Sequence, residues 1–279
     1  MSYKIVVDSC CELPEKYKKD SRFVRVPLLL EVGEDYRIPD DDNFNQAEFL
    51  QKVAECPTCP KSACPSPEKF MDAYTGDAER IYVVTLTSKL SGSYNSAMLA
   101  KNLFEETHGE KLIHVVDSKS ASCGETQIAL KLMELEEEGL PFAEIVERIE
   151  KFRDEMGTYF VLDNLETLRK NGRLSGVKAV VASTLNIKPV MKANEGEIVQ
   201  TGQSIGIKKA LAKMVDLLLS ELKDSEMKRI IISHCNAAGK AELVQSLLEA
   251  KVKCREMLVL DTAGVSSMYA NDGGIIVTV

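Results

Sequence analysis

Short apolar runs alternate along this chain with longer segments whose apolar residues recur at helical spacing, the pattern of parallel βα units with strands buried on both faces. Residues 3–7 run into Asp8-Ser9. Residues 81–86 lead to Thr87-Ser88-Lys89-Leu90-Ser91-Gly92 and a helical pattern carrying Ala97, Leu99, Ala100, Leu103 and Phe104. Residues 113–116 lead to Asp117-Ser118-Lys119-Ser120 and a second pattern with Ile128, Ala129, Leu130, Leu132 and Met133. All three predicted strands therefore end in hydroxyl-rich loops. The acidic segment 34–42 and the proline-rich stretch 57–67 read as surface excursions, because Pro lacks a donor and Asp favours turns.

Two helical patterns end near Glu155-Met156-Gly157, and a new apolar run follows at 159–162. The predicted domains are accordingly 1–156 and 157–279. The second half predicts a short helix at 164–170, a helix at 177–185, a strand at 187–190, and a hairpin around Asn194-Glu195-Gly196. A long amphipathic helix at 207–222, strands at 230–233, 257–260 and 275–279, and a helix at 241–250 complete it. The expected class is α/β, with a parallel sheet in the N-terminal domain and a mixed sheet in the C-terminal domain.

The chain's 279 residues, 44% hydrophobic and 28% charged, suit a globular protein of two domains. Thirty-five Lys and Arg against 43 Asp and Glu leave a formal charge of −8, which repels polyphosphate, so nucleic acid is not an expected partner. No stretch reaches the roughly 20 apolar residues of a membrane span; the most apolar, 24–32, is interrupted by Pro27 and Glu31, so no membrane insertion is expected. The first predicted strand has no long apolar segment before it, which makes the cytoplasm the expected compartment. The eight cysteines are then expected as reduced thiols.

Several chemistries lack their usual motifs: no G-x-G-x-x-G follows a strand, and there is no phosphate loop, H-E-x-x-H or G-x-S-x-G. Among the histidines, His108 falls at a helix end and His114 inside a strand. His234, between Ser233 and Cys235, offers a conceivable nucleophile–base pair for a hydrolase or acyltransferase, without a visible third group to orient it. Cys56, Cys59 and Cys64 have a chelating spacing but supply too few ligands for a structural zinc site, so no metal is expected. Ser91-Gly92-Ser93 stands where a helix should start at the carboxyl end of a strand, a place that collects anions and equally suits a plain helix cap. Lys170-Asn171-Gly172-Arg173 ends a short helix with glycine and then presents an arginine, either to solvent or to an acidic ligand.

Taken in order, these segments resemble the DegV family of bacterial fatty-acid-binding proteins. The resemblance runs through Ile5-Val6-Val7-Asp8-Ser9 with Leu13-Pro14, Ser62-Ala63-Cys64-Pro65-Ser66-Pro67 and Leu90-Ser91-Gly92-Ser93-Tyr94-Asn95-Ser96-Ala97. It continues through Val115-Val116-Asp117-Ser118 with Ser122 and Gly124, then Leu165, Leu168 and Lys170-Asn171-Gly172-Arg173. Leu185-Asn186-Ile187-Lys188-Pro189-Val190 closes the series.

The resemblance implies a lipid cavity in the N-terminal domain, with the tail of one long-chain fatty acid (palmitate, stearate or oleate-like) inside it and the carboxylate near the domain interface. It implies a carrier without catalytic residues or cofactor, presenting that carboxylate to a separate ATP-dependent fatty acid kinase that makes acyl-phosphate for phospholipid synthesis. By position, the carboxylate site comprises Ser62, Ser91, Gly92 and Arg173. Tyr269 stands in Tyr269-Ala270-Asn271-Asp272-Gly273-Gly274 where the family often has a histidine; it can donate a hydrogen bond but lacks the histidine's basic nitrogen.

Overall fold

Runs of Val and Ile become strands here because both faces of the sheet they form are covered. The computed structural model describes residues 2–174 and 186–279; the helix expected at 177–185 lies outside the described residues. The first half comprises β1 (Tyr3–Asp8), α1 (Glu15–Lys18), β2 (Phe23–Val26), β3 (Leu29–Val32), β4 (Tyr36–Pro39), α2 (Gln46–Glu55), β5 (Lys61–Ala63), α3 (Pro67–Tyr74), β6 (Arg80–Thr85), α4 (Ser93–His108), β7 (Leu112–Asp117), α5 (Cys123–Glu137) and α6 (Phe142–Asp154). The second comprises β8 (Thr158–Val161), α7 (Glu166–Lys170), β9 (Ile187–Asn194), β10 (Glu197–Ile205), α8 (Ile207–Glu221), β11 (Arg229–His234), α9 (Ala238–Glu249), β12 (Glu256–Asp261), α10 (Gly264–Ala270) and β13 (Ile275–Thr278).

β2, β1, β6 and β7 pair in parallel in that order, and every residue of β6 is buried. Aspartates tie the loops at their carboxyl ends. Asp8 accepts the N–H groups of Cys10 at 3.0 Å and Leu86 at 2.9 Å, and Asp117 accepts that of Ser88 at 3.0 Å. The second sheet runs β10-β9-β8-β13-β11-β12, antiparallel except for the parallel β11–β12 pair, so it is mixed as expected.

α5 lies between the two sheets. It packs with Ile5, Val7, Tyr82 and Val84 on one side and Ile231, Leu258 and Ile276 on the other. That explains why its apolar residues do not keep to one stripe: a helix covered all round has no face to leave polar. The β9–β10 hairpin reaches the first sheet's loops. Its tip sits so close that a Cβ on Gly196 would lie 2.3 Å from Thr87 Oγ1, and the Gly196 carbonyl accepts the Thr87 hydroxyl at 3.2 Å.

The fold differs from expectation in two respects. The stretches 34–42 and 57–67 contain β4 and β5, which flank β3 in a small antiparallel sheet, β4-β3-β5. A three-residue strand shows no periodicity of its own; β5 exists because β3 offers it a ladder, with Leu30 opposite Ser62. The other is α10, which the pattern of the chain does not announce. Asp40 accepts the N–H groups of Gly264 and Val265, both at 2.9 Å, and so caps α10 from the opposite half of the chain. Glycine is required at 264, because a Cβ there would lie 2.5 Å from Leu30 Cδ1.

Candidate functional site

A cavity of about 320 Å³ opens between the two sheets. Leu86, Leu90 and Ala121 line it from the first half, and Phe160, Leu162, Ile198 and Ile276 from the second. Its volume and apolar lining are those of a small-molecule site. The resemblance places the acyl tail inside the N-terminal domain; the chamber found here draws its wall from both halves.

Ser62, Ser91, Gly92, Arg173 and Tyr269 all line this cavity. β5 carries Ser62, whose hydroxyl lies 3.2 Å from the Tyr269 hydroxyl on α10. Arg173 is aimed by the end of α7: Gly172 takes a positive φ of 74°, and the Arg173 N–H returns to the Leu168 carbonyl at 2.8 Å, closing a Schellman turn. The guanidinium then lies 5.9 Å from the centre of the Tyr269 ring. Its Nε donates to the Leu90 carbonyl at 3.3 Å and its Nη1 to the Asn171 carbonyl, and these bonds hold the plane of the group.

Ser91 precedes α4 and accepts the Ser93 N–H at 3.2 Å, taking up one of the amides left unpaired at that helix start. Gly92 allows close approach, since a Cβ there would meet Cys64 Sγ at 2.9 Å. Together these groups bring hydroxyl donors, a fixed positive charge and a helix N-terminus to one region of an apolar chamber. Chemically the arrangement suits an amphiphile with an anionic head.

The alternative nucleophile is not assembled. Ser233 donates to buried Glu12 at 3.4 Å, whereas the His234 Nδ1 accepts the Ala237 N–H at 3.3 Å and lies 3.4 Å from Asp261. Cys235 points to the Ser267 carbonyl at 3.9 Å, and burial pushes its thiol up, away from the thiolate a nucleophile needs. A strand sends successive side chains to opposite faces, so adjacency in sequence works against this trio. The other histidines are structural: His108 stacks on Phe104 at 4.4 Å, and His114 pairs with Glu150 at 2.9 Å.

The cysteine cluster also spreads apart. Cys56 lies beside Thr58 at 3.2 Å, Cys59 accepts a hydrogen bond from Asn171 at 3.4 Å, and Cys64 rests at Gly92. No group of metal-binding side chains occurs among the described residues.

Sequence reasoning misses a polar stretch of the cavity wall made by Cys10, Ser120, Ser122, Thr158 and Ser266. The serines after β7 signal a hydroxyl-rich loop, but nothing local announces that Cys10 and Ser266 meet them. Behind this wall lie buried carboxyls. Burial raises Glu12 to about 7, against the opposing hydrogen bonds of Ser266 and Ser122. Burial, with the Asp8 carboxyl beside it, raises Glu125 well above the usual range, and neither Glu125 oxygen has an aligned donor among the described residues. Burial raises Asp8 too, but the two backbone N–H groups it accepts oppose this, so Glu125 is the member of the pair pushed further toward the neutral form.

An α/β frame thus encloses an apolar chamber with donors and a cation gathered in one part of its wall. The chain belongs to the DegV family: the family described as "Uncharacterised protein, DegV family" matches residues 2–278. A DegV domain-containing protein of Streptococcus gordonii is 36% identical over 99% of this chain and 98% of its own length. Among solved structures, a DegV family protein of Ruminococcus gnavus, refined with vaccenic acid, is 51% identical with a TM-score of 0.97, over 100% of both chains. The Streptococcus pneumoniae Fatty Acid Kinase (Fak) B3 protein, loaded with linoleic acid, is 34% identical with a TM-score of 0.88, over 100% of this chain and 99% of that one.

Proposed function

We propose that this protein carries one long-chain fatty acid and presents its carboxylate to a separate ATP-dependent kinase, which forms the acyl-phosphate used in phospholipid synthesis. The observation that carries the reading is the cavity itself: an apolar chamber in which Ser62, Ser91, Arg173 and Tyr269 lie together on the wall. The fatty acids in the Ruminococcus gnavus and Streptococcus pneumoniae relatives support it, and the second relative's name supports the kinase partner. Residues 1–156 and 157–279 act in this reading as two domains, each giving one wall of the chamber.

A sixteen-carbon tail removes about 15 carbon groups from water at about 0.8 kcal/mol each, a gross gain on the order of 12 kcal/mol. Association costs on the order of 4 to 15 kcal/mol, so useful affinity requires a chamber that is largely preformed. The carboxylate gains nothing by leaving water unless it is paired. Arg173 and the hydroxyls therefore set its direction, and the wall sets the affinity. The same pairing leaves the carboxylate as the reactive group at the head end, and in this reading the nucleotide chemistry belongs to the partner.

Organic extraction of freshly purified protein, followed by mass spectrometry, is expected to release a C14 to C18 acid. The delipidated protein is expected to form acyl-phosphate from that acid only when the ATP-dependent partner is added. Repeated preparations with neither bound nor bindable fatty acid would exclude the carrier role.

A further inference from the structure

One wall of the chamber has a composition that a plain hydrocarbon tail does not require. Cys10, Ser122 and Ser266 line it and are 2%, 1% and 5% exposed. They are contiguous: Cys10 Sγ lies 3.5 Å from Ser266 Oγ and accepts the Ser122 N–H at 3.3 Å. Ser120 and Thr158, whose hydroxyls are 2.7 Å apart, extend the same wall.

The polar groups of this wall already have partners within the protein. Ser122 donates to Glu12 Oε2 at 2.7 Å, and Ser266 to the Cys10 carbonyl at 3.5 Å. Ser120 has the Ala121 carbonyl at 3.5 Å as acceptor, which lets Thr158 donate to Ser120 in turn. Glu12, 4% exposed, anchors the set by also accepting the Ala263 N–H and the Ser233 hydroxyl, each at 3.4 Å. The wall therefore offers hydroxyl lone pairs, with the weak S–H of Cys10 beside them. Donors are concentrated instead at Ser62, Ser91, Arg173 and Tyr269.

We infer that this wall is a subsite for a hydroxyl group on the acyl chain, so that the ligand class extends to long-chain hydroxy acids. The inference rests on the fatty-acid reading above and adds substrate chemistry to it. A chain hydroxyl donates to Ser122 or Ser266 and finds there the acceptor it leaves behind in water. A keto group at the same carbon can only accept and meets the weak Cys10 S–H as donor, so its desolvation is compensated less well. Ser266 and Tyr269 are three residues apart on α10, which places them one turn apart on one face. The hydroxyl consequently belongs in the carboxyl half of the chain and not at the methyl end.

The test is calorimetric titration of the delipidated full chain with stearic acid, with hydroxystearic acids substituted at successive carbons of the carboxyl half, and with their keto counterparts. At one position the hydroxy acid is expected to match or exceed stearic acid and to bind about tenfold or more tightly than its keto counterpart. Ser266→Ala, and Ser122→Gly, which suits the positive φ of 58° at that position, are each expected to lower the ratio of hydroxystearate to stearate affinity about tenfold. Hydroxy acids about tenfold weaker than stearate at every position overturn the inference, as does equal binding of hydroxy and keto acids. Absence of stearate binding overturns the fatty-acid reading and this inference with it. The comparison of ligands on the unmodified protein decides the matter even if a variant fails to fold.

Discussion

Glu12 shows how one residue sets a condition on the whole fold. Its carboxyl is raised in the folded state to about 7 from an ordinary 4.5, so the neutral form is the one the fold favours. The associated stability is fully present below about pH 4.5 and is lost as pH rises through 7, by an amount on the order of 3 kcal/mol. Glu12→Gln cannot ionise. Denaturant titrations from pH 4 to 8 are expected to show the variant gaining on the wild type between about pH 4.5 and 7, with a constant difference above. A difference that stays flat across that window would mean that Glu12 does not titrate there. Asp40 and Glu125 also face this carboxyl and remain in the variant. Such a residue is not legible in the sequence, where Glu12 is one acidic residue among 43. Ser91, Gly92 and Arg173 are legible, because a strand end, a helix start and a glycine stop are local signals. Tyr269 is found only through the family resemblance, and Cys10 meets Ser266 across 256 positions.

At the scale of elements, the long ones declare themselves and the short ones are made by their neighbours. α4 and α8 follow from spacing, and β1, β6 and β7 from runs of Val and Ile. α10 does not, since its seven residues begin with glycine and its first amides are capped by Asp40, more than two hundred positions away. It nevertheless carries both Ser266 and Tyr269 into the chamber. Gly264→Ala is expected to push α10 off Leu30 and Asp40, costing about 1 to 3 kcal/mol of stability and weakening fatty-acid binding in the same variant. Thermal unfolding and a fluorescent-acid displacement assay measure the two effects. Normal binding in a protein destabilised by that amount would show that Tyr269 does not depend on the seat of α10.

For the whole molecule, one sheet is drawn from β1, β2, β6 and β7 and the other from β8 to β13, but the packing does not respect that division. The α5 core includes residues of both sheets, so unfolding one half exposes the apolar surface of the other. A single cooperative calorimetric transition is therefore expected, and saturating fatty acid should raise it as one peak, by about 2.7 kcal/mol at a hundredfold excess over Kd. Two separable transitions, with only one moved by the ligand, would contradict this coupling.

Under the fatty-acid reading proposed above, the position of α5 also limits how a lipid would get in or out. Two lobes that merely touched could part like jaws, whereas a helix embedded in both acts as a rivet through them. Drawing the lobes apart would strip apolar side chains from α5 along one side, a cost paid again at every exchange. A route past the hairpin tip at Gly196, held by Thr87 with Lys119 paired to Glu195 beside it, would break only a few polar contacts and leave the rivet in place.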